Sequence, residues 1–462
     1  MTTTNSSTPA SRRTLFGTDG VRGTANQYPM TCEVALALGR AVAHMSKSGS
    51  HRHRIVIGKD TRLSGYMIEM AFASGVCSMG VDALLLGPMP TPAVAHLTQD
   101  MRADAGVMIS ASHNPYEDNG IKIFGRDGFK LDDARELQLE QWARGTAIEH
   151  IRPVKDEVGK AFRIDDARGR YIAQLKRVMP PEMDLSGMRI VVDCAHGAAY
   201  KVAPTVLEEL GAEVFAVGVS PNGRNINDGV GAMYPRKLGE AVRAHGADIG
   251  LALDGDADRL IVVDERGDQV DGDAVIGLAA RQLHRAGDLK NDGIATTVMS
   301  NLALDKFLKK EGVSVTRTPV GDRYVVEAMR RDSLILGGEQ SGHLVFLDHA
   351  TTGDGMVAAL CLLTLLRREE ANVSEMTRLY EPYPQQLINV QVREKPPIEE
   401  LDSVMARIQS AEQTLGDDGR VMVRYSGTES KARVLVEGPE RKLVDELAGD
   451  IAAVLRDTIG AA

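Results

Sequence analysis

The chain has 462 residues, of which 43% are hydrophobic and 26% are charged, and its formal net charge at pH 7 is -10. This length exceeds the roughly 100 to 200 residues that one domain usually holds, so three or four domains are expected. The acidic balance argues against a nucleic-acid-binding protein, which needs a basic face, but it allows a small anionic ligand held by a few arginines.

The N-terminus, the apolar runs and the cysteines indicate a cytoplasmic protein. Residues 1–11 lack the apolar segment of a signal peptide and are expected to form a disordered tail. The longest apolar run, Val357 to Leu366, is too short to span a bilayer, so no membrane association is predicted. The four cysteines have no CxxC spacing, which argues against a zinc site or a disulfide framework.

After the tail, hydrophobic periodicity predicts alternating helices and strands. The first group consists of helix 31–48, strand 54–58, helix 65–79, strand 82–87, helix 91–100 and strand 105–111. Its strands are short continuous apolar runs, which are typical of buried parallel strands joined by helical crossovers.

The same order of elements recurs further along the chain. The second group is strand 188–193, helix 199–210, strand 213–218, helix 235–245 and strand 247–253. The third is strand 293–299, helix 301–311, strand 313–319, helix 322–332 and strand 334–337. After about residue 380 the pattern changes to strand 386–393, helix 398–414, strand 420–424, strand 432–436 and helix 440–458.

These patterns predict an α/β fold with three consecutive similar α/β domains, mixed and mostly parallel sheets, and a smaller C-terminal α+β domain around one central cleft. The predicted domains are 12–162, 163–265, 266–380 and 381–462. In the first three, the last strand runs into a polar motif: Ser110 to Pro115, Asp254 to Arg259 and Gly338 to His343. Ligands in open α/β sheets bind beyond the carboxyl ends of strands, so the three motifs are expected to line one cleft.

The second motif is the strongest candidate for a metal site. Asp254, Asp256 and Asp258 alternate with small residues, and such close carboxylates raise one another's pKa unless a cation neutralises them. An EF-hand would place Glu265 at its twelfth position, but its sixth position is Arg259 instead of glycine. A solvated acidic turn is the plain alternative. We predict one Mg²⁺ ion, because Mg²⁺ binds a few carboxylates together with phosphate oxygens.

The first motif carries two serines and a histidine, Ser110, Ser112 and His113. A serine hydroxyl is a weak nucleophile unless a base lies beside it or it already carries a reactive group. The local sequence does not decide between these two explanations. His113 taken alone suits an ordinary loop histidine, and Lys122 taken alone suits a surface lysine.

A fourth motif, Arg424 to Glu429, lies between two predicted strands. Its hydroxyls, amide groups and guanidinium are typical of phosphate binding, and a plain hairpin turn is an equally favoured alternative. Glu339, Ser341 and His343 form a polar set suited to sugar hydroxyls. Basic residues at predicted strand ends and loops suggest a pocket for a doubly charged anion: Arg22, Lys59, Arg62, Lys122, Arg259 and Arg424.

Together the four motifs resemble those of the α-D-phosphohexomutase family, over essentially the whole chain after the tail. They read Ser-Ala-Ser-His-Asn-Pro, Asp-Gly-Asp-Ala-Asp-Arg, Gly-Glu-Gln-Ser-Gly-His and Arg-Tyr-Ser-Gly-Thr-Glu, in the family order. The segments Leu15 to Gly23, Gly58 to Gly65 and Val320 to Val325, with Gln340, favour the bacterial branch that acts on glucosamine phosphates. The alternatives are a relative acting on glucose or mannose phosphates and, more remotely, a non-catalytic phosphosugar-binding protein.

The resemblance implies interconversion of glucosamine 6-phosphate and glucosamine 1-phosphate, which supplies UDP-N-acetylglucosamine synthesis for the cell wall. It makes Ser112 the phosphate carrier and Ser110 part of the strand that leads to it. The implied metal ligands are Ser112, Asp254, Asp256 and Asp258. The implied catalytic residues are Ser112, His113, Lys122 and Arg259. The implied substrate-binding residues are Arg22, Glu339, Ser341, His343, Arg424, Ser426, Gly427, Thr428 and Arg433.

The implied partner is a small sugar phosphate, and a kinase or a sugar bisphosphate would prime Ser112. A homodimer is left open. Ser430 stands where many relatives have proline, which affects the rigidity of the fourth loop but not its phosphate donors. Arg433 lies two residues into the following strand, and the sequence leaves open whether its side chain faces the phosphate.

Overall fold

The computed structural model describes residues 14–17, 19–426 and 430–461. Its first sheet has six strands in the order β1-β5-β4-β2-β3-β6. They are β1 (Val21–Thr24), β2 (Arg54–Lys59), β3 (Asp82–Pro88), β4 (Ala105–Ile109), β5 (Asp118–Gly125) and β6 (Ala161–Arg163). β4, β2, β3 and β6 are parallel neighbours, whereas β5 pairs antiparallel with both β4 and β1. The carboxyl ends of β2, β3 and β4 therefore meet at one edge.

Four helices connect and cover this sheet: α1 (Cys32–Ser46), α2 (Gly65–Ser78), α3 (Thr91–Asp100) and α4 (Asp133–Arg144). α1 begins at Thr31, whose side chain accepts a hydrogen bond from the backbone N–H of Val34, a standard way to satisfy the first turn of a helix. The core between helices and sheet is closely packed and includes Leu38, Phe72 and Val107, all fully buried.

The second sheet has the order β11-β10-β9-β7-β8. Its elements in chain order are α5 (Ala167–Lys176), β7 (Arg189–Asp193), α6 (Val202–Glu209), β8 (Glu213–Val217), α7 (Pro235–His245), β9 (Ile249–Leu253), β10 (Leu260–Val263) and β11 (Gln269–Val270). β7, β8 and β9 are parallel, and β10 turns back antiparallel to β9. The turn between β9 and β10 holds the three aspartates.

The third sheet has the order β13-β12-β14-β15. This part of the chain contains α8 (Gly272–Ala286), β12 (Gly293–Thr297), α9 (Leu302–Lys310), β13 (Ser314–Thr318), α10 (Asp322–Arg331), β14 (Leu336–Gly338), β15 (Leu344–Phe346), α11 (Gly355–Glu369) and α12 (Val373–Met376). β14 is parallel to β12 and antiparallel to β15. The Glu339 motif forms the connection between β14 and β15.

The C-terminal region has an antiparallel sheet of three strands in the order β16-β18-β17. Its elements are β16 (Gln385–Gln391), α13 (Asp402–Leu415), β17 (Arg420–Tyr425), β18 (Lys431–Glu437) and α14 (Arg441–Ile459). The described residues up to Val298 and Val315–Thr377 form one compact unit. Met299–Ser314 and the described residues from Arg378 onward form a second unit.

The predicted fold class of three α/β domains with mixed sheets and a smaller C-terminal α+β domain is confirmed. Two predictions about the first domain were wrong. β4 ends at Ile109, so Ser110 follows the strand, and Lys122 lies on β5 and not on a loop. β5 is hard to recognise because it buries Asn119 and Lys122, whose polar partners come from distant parts of the chain. In the described part of the chain, no helix combines the length and apolar character needed to cross a membrane.

Candidate active site

The first two polar motifs meet at a direct hydrogen bond between side chains. Ser112 follows β4, and its hydroxyl donates to Asp254 Oδ2, which follows β9, over 2.5 Å. Ser112 is only 2% exposed. His113 Nδ1 lies 3.4 Å from the same Ser112 oxygen. Of the two serines in the first motif, Ser112 is therefore the one whose hydroxyl reaches an aspartate of the second motif.

In both loops at this contact, one residue has a backbone conformation that residues other than glycine rarely adopt. Ser112 has φ +53° and Ala257 has φ +59°. Residues held in this left-handed region cluster at functional sites, where the surrounding structure fixes them. Gly255 makes the approach between the loops feasible, because a Cβ there would lie 2.5 Å from the Ser112 carbonyl oxygen.

Asp254, Asp256 and Asp258 are buried together, with ligand oxygens all within 4.8 Å of one another. Burial and then the charges of the other two aspartates raise the pKa of Asp254 well above its usual value. Among the described residues, Asp256 Oδ1 and Asp258 Oδ1 have no hydrogen-bond partner. Buried carboxylate oxygens without donors fit a hard divalent cation, so this cluster can hold one.

Lys122 supplies a buried positive charge to the same cluster. Its Nζ donates to Asp256 Oδ2 over 2.8 Å and to Asp258 Oδ2 over 3.2 Å, and it lies 3.2 Å from Asp19 Oδ2. Burial opposes the charge, but the three carboxylates outweigh burial and raise the pKa of Lys122 well above its usual value. Lys122 is therefore an ammonium group here.

His113 and two arginines flank the serine. Burial, followed by the charges of Arg259 and Arg22, lowers the pKa of His113 to about 4, so its imidazole is neutral at pH 7. Arg259 Nε lies 3.9 Å from Asp258 Oδ1. Arg22 lies on β1, forms an ion pair with Asp19 and donates to the Ala111 carbonyl over 3.4 Å. Positive charge near Ser112 thus comes from the arginines and Lys122, and not from His113.

The third motif joins this cluster through His343. His343 Nδ1 lies 3.8 Å from Asp258 Oδ1, and Nε2 lies 3.4 Å from Asp322 Oδ2. Burial opposes protonation of His343, but Asp322 and Asp258 raise its pKa. Glu339 accepts a hydrogen bond from the backbone N–H of Gly321 over 2.9 Å, and the Ser341 hydroxyl lies 3.4 Å from Glu339 Oε2.

Three charged residues of this site were missed at the sequence level. Lys130 forms ion pairs of 2.5 Å with both Asp19 and Asp322, and so links the β1 end of the first domain to α10. No spacing rule connects these residues, because they are more than 100 positions apart along the chain. Asp19 and Asp322 do lie inside segments that carried the family resemblance, Leu15 to Gly23 and Val320 to Val325.

Two basic residues proposed for the anion pocket have other partners. Lys59 is buried in an ion pair with Glu69. Arg62 is fully buried against Asp60 and backbone carbonyls. The prediction that both line a pocket for a doubly charged anion was wrong, because a residue at the end of a strand can point into the protein as well as toward the ligand.

In the second compact unit, Arg424 and Arg433 lie directly opposite each other on β17 and β18. Opposite residues in an antiparallel pair project from the same face, where like charges are destabilising. Burial and then the charge of Arg433 lower the pKa of Arg424. Ser426 is buried at the end of β17, whereas Gly427 and Thr428 lie outside the described residues. The strand register thus places the Arg433 side chain on the same face of the sheet as Arg424. Two arginines on one face suit a bound anion.

Four family models match consecutive parts of the chain. Phosphoglucomutase/phosphomannomutase alpha/beta/alpha domain I matches residues 13–147, domain II 169–267, domain III 271–383, and the C-terminal domain 387–454. The chain belongs to the phosphoglucomutase/phosphomannomutase family. It is accordingly an enzyme, and the resemblance to the phosphohexomutases is confirmed.

Several known proteins resemble the chain over nearly its full length. A phosphoglucosamine mutase of Anaeromyxobacter dehalogenans (strain 2CP-C) is 59% identical over 456 residues, covering 97% of this chain and 100% of the relative. A Phosphoglucomutase/phosphomannomutase family protein from Burkholderia thailandensis superimposes with a TM-score of 0.80 at 22% identity, covering 97% and 99%. An Aspergillus fumigatus N-acetylphosphoglucosamine mutase, solved with GlcNAc-6P and magnesium, gives a TM-score of 0.66 at 20% identity, covering 96% of each chain. Both solved structures share the fold of this chain.

Proposed function

We propose that this enzyme interconverts glucosamine 6-phosphate and glucosamine 1-phosphate through a phosphorylated Ser112 and a 1,6-bisphosphate intermediate. The observation that carries the proposal is the hydrogen bond from the Ser112 hydroxyl to Asp254 within the buried aspartate cluster. The choice of an aminosugar is supported by 59% identity to a phosphoglucosamine mutase that matches along its whole length.

In the proposed cycle, phosphorylated Ser112 transfers its phosphoryl group to O1 of glucosamine 6-phosphate. The bond between phosphorus and Ser112 Oγ breaks as the bond to O1 forms, and the sugar hydroxyl loses a proton while Ser112 Oγ regains one. The resulting 1,6-bisphosphate turns within the site. Its 6-phosphate then returns to Ser112, and glucosamine 1-phosphate leaves.

The residues around Ser112 have distinct roles in this cycle. Lys122 and Arg259 place positive charge near the reacting group, where phosphoryl transfer needs it. We also assign Lys122 to general acid/base work at the sugar oxygen, the role that the family resemblance implies for it. His113 is neutral and lies 3.4 Å from the reacting oxygen, so it can exchange a proton there. Ser112, Asp254, Asp256 and Asp258 would hold Mg²⁺, which supplies further positive charge to the transferring phosphoryl group.

The remaining residues serve the substrate. Glu339, Ser341 and His343 are proposed to bind the sugar hydroxyls, with Arg22 near the reacting phosphate. The non-reacting phosphate is assigned to Arg424, Ser426, Gly427, Thr428 and Arg433. In this proposal segments 12–162, 163–265, 266–380 and 381–462 are the phosphoserine, metal-binding, sugar-binding and phosphate-binding domains. A kinase or a sugar bisphosphate would add the first phosphate to Ser112.

We expect the enzyme to prefer the aminosugar. The value of kcat/KM for glucosamine 6-phosphate should exceed the values for glucose 6-phosphate and mannose 6-phosphate by at least about tenfold. The reason is that a buried protein group that binds the C2 amine would be left unpaired by a sugar without that amine. The measurement is the steady-state kcat/KM of a single enzyme preparation with each of the three substrates. Equal efficiencies would instead make the enzyme a general hexose phosphate mutase.

Arg424→Ala should weaken binding of the sugar phosphate. Loss of a charge-assisted arginine contact costs about 2 kcal/mol, which is about thirtyfold in binding. The expected result is a KM raised by about that factor, while phosphorylation of Ser112 stays normal. Arg407 lies exposed on α13 in the same compact unit, so Arg407→Ala is the matched control and should leave KM unchanged. A wild-type KM for Arg424→Ala would remove this arginine from the phosphate site.

A further inference from the structure

Arg62, which lies just after β2, has a side chain that is 0% exposed and uses every N–H group it possesses. Its Nε donates to Asp60 Oδ2 over 2.8 Å. The other four N–H groups donate to backbone carbonyls of the Ser112 loop: Ser112 (2.9 Å), Asn114 (2.8 Å), Asp118 (3.0 Å) and Pro115. A guanidinium has five N–H donors, so this one is fully occupied by Asp60 and by the loop that carries the reacting serine.

Asp60 extends the same network to the backbone of Ser112. Asp60 Oδ2 accepts a hydrogen bond from the Ser110 hydroxyl over 2.6 Å, and the Ser110 oxygen accepts one from the Ser112 backbone N–H over 2.9 Å. Both the N–H and the carbonyl of Ser112 are thus tied to the Asp60–Arg62 pair. This explains why the motif contains two serines, since Ser110 holds the backbone while Ser112 presents its hydroxyl.

A second group holds the same carbonyls from the neighbouring domain of the same compact unit. Asn227 Nδ2 donates to the Ser112 carbonyl over 2.8 Å and to the Asn114 carbonyl over 3.0 Å. Two carbonyls of the loop therefore accept hydrogen bonds from both Arg62 and Asn227. Among the described residues, the groups that fix this backbone form no hydrogen bond with the Asp254 carboxylate, whereas the Ser112 hydroxyl does.

This network opposes two disturbances that the loop must withstand. The left-handed conformation of Ser112 (φ +53°) is one that costs free energy and persists only where neighbouring groups impose it. In addition, a phosphoserine carries a charge of about -1.5 to -2 at pH 7, so the charge on this loop changes twice in each catalytic cycle. We propose that Arg62, together with Asp60 and Ser110, is a positioning residue that keeps the Ser112 oxygen aligned for phosphoryl transfer, an inference that rests on the proposed function.

Arg62→Lys is the variant that tests this role. Lysine keeps the positive charge but replaces the planar fork of five donors with three donors on one nitrogen, so it is unable to hold four carbonyls and Asp60 at once. We expect kcat to fall about a hundredfold, the effect of a small misplacement of a reacting atom, while KM for glucosamine 6-phosphate stays within about twofold because no substrate contact is lost. The ³¹P resonance of the phosphoserine should broaden or split as the loop samples other conformations.

Arg52→Lys is the matched control. Arg52 donates two hydrogen bonds to Asp82 (3.0 and 2.7 Å) and precedes β2, at the opposite end of the same strand from Arg62. The same substitution there should leave kcat, KM and the ³¹P resonance unchanged. A loss of activity in both variants would show that the fold simply requires its arginines and would overturn the specific role of Arg62.

Ser110→Ala keeps the test decisive if Arg62→Lys does not fold, because it removes only one hydroxyl. It should lower kcat by about tenfold at unchanged KM, since it breaks the link between Asp60 and the Ser112 N–H. A folded Arg62→Lys, or failing that a Ser110→Ala, with kcat within about twofold of wild type would overturn the inference. If the wild type itself turned over no hexose phosphate in the same assay, the proposed function would fail instead.

Discussion

Ser112→Ala should lower kcat for glucosamine 6-phosphate by at least about a thousandfold, because removal of a nucleophile that carries the transferred group leaves little of the original catalysis. The substitution deletes one hydroxyl that donates to Asp254 and leaves the buried cores of the three α/β domains unchanged. Circular dichroism and the thermal unfolding midpoint should therefore stay close to wild type. Steady-state kinetics on the purified variant give the measurement.

Ser110→Ala is the control for the assignment of the phosphate. Ser110 donates to Asp60 and accepts from Ser112 N–H, so its oxygen is engaged away from the aspartate cluster. Peptide mass spectrometry should find phosphate on Ser112 in both the wild type and Ser110→Ala. A phosphate found on Ser110 alone would reverse the assignment of the carrier.

Removal of the metal is the second large effect expected. Excess EDTA should abolish turnover and Mg²⁺ should restore it, because three buried carboxylates lie within one cluster and, among the described residues, two of their oxygens have no hydrogen-bond partner. Asp256→Asn removes one anionic ligand. Its Mg²⁺ affinity, measured by calorimetry, should fall by more than the roughly 10- to 100-fold that loss of an outer partner of a metal ligand costs.

The control for this substitution is Asp165→Asn. The Asp165 side chain is 89% exposed, so the same chemical change there should leave Mg²⁺ affinity and kcat at wild-type values. Full activity of the wild type in excess EDTA would exclude a metal from the reaction. Wild-type Mg²⁺ affinity in Asp256→Asn would place the ion elsewhere.

The meeting of Ser112 with Asp254 was predictable from the sequence in outline. Both residues follow apolar strands of β-α-β units, and ligands bind where the carboxyl ends of such strands converge. His343 lies in the connection that follows β14, where the same rule places ligand-binding residues. What the rule does not supply is which serine oxygen faces the carboxylates, since that depends on the left-handed backbone of Ser112.

Other features depend on contacts that periodicity does not encode. Lys122 and Asn119 are polar yet buried on β5, and their partners lie far away along the chain, so the segment resembles a loop. From the sequence, Arg62 resembles a residue of an anion pocket. The structure shows that all five of its N–H donors are bound to groups of the protein. On β17 and β18, Arg424 and Arg433 face each other because of the strand register, which depends on the length and shape of the intervening turn.

Transfer of a labelled phosphoryl group from Ser112 to the sugar tests the proposed function most directly. The enzyme is first labelled on Ser112 with a ³²P-labelled sugar bisphosphate, desalted and then mixed with unlabelled glucosamine 6-phosphate. Within a single turnover, the label should leave Ser112 and be recovered in the hexose bisphosphate and glucosamine 1-phosphate. Glucosamine 1-phosphate that accumulated while the label stayed on Ser112 would contradict a phosphoserine mechanism.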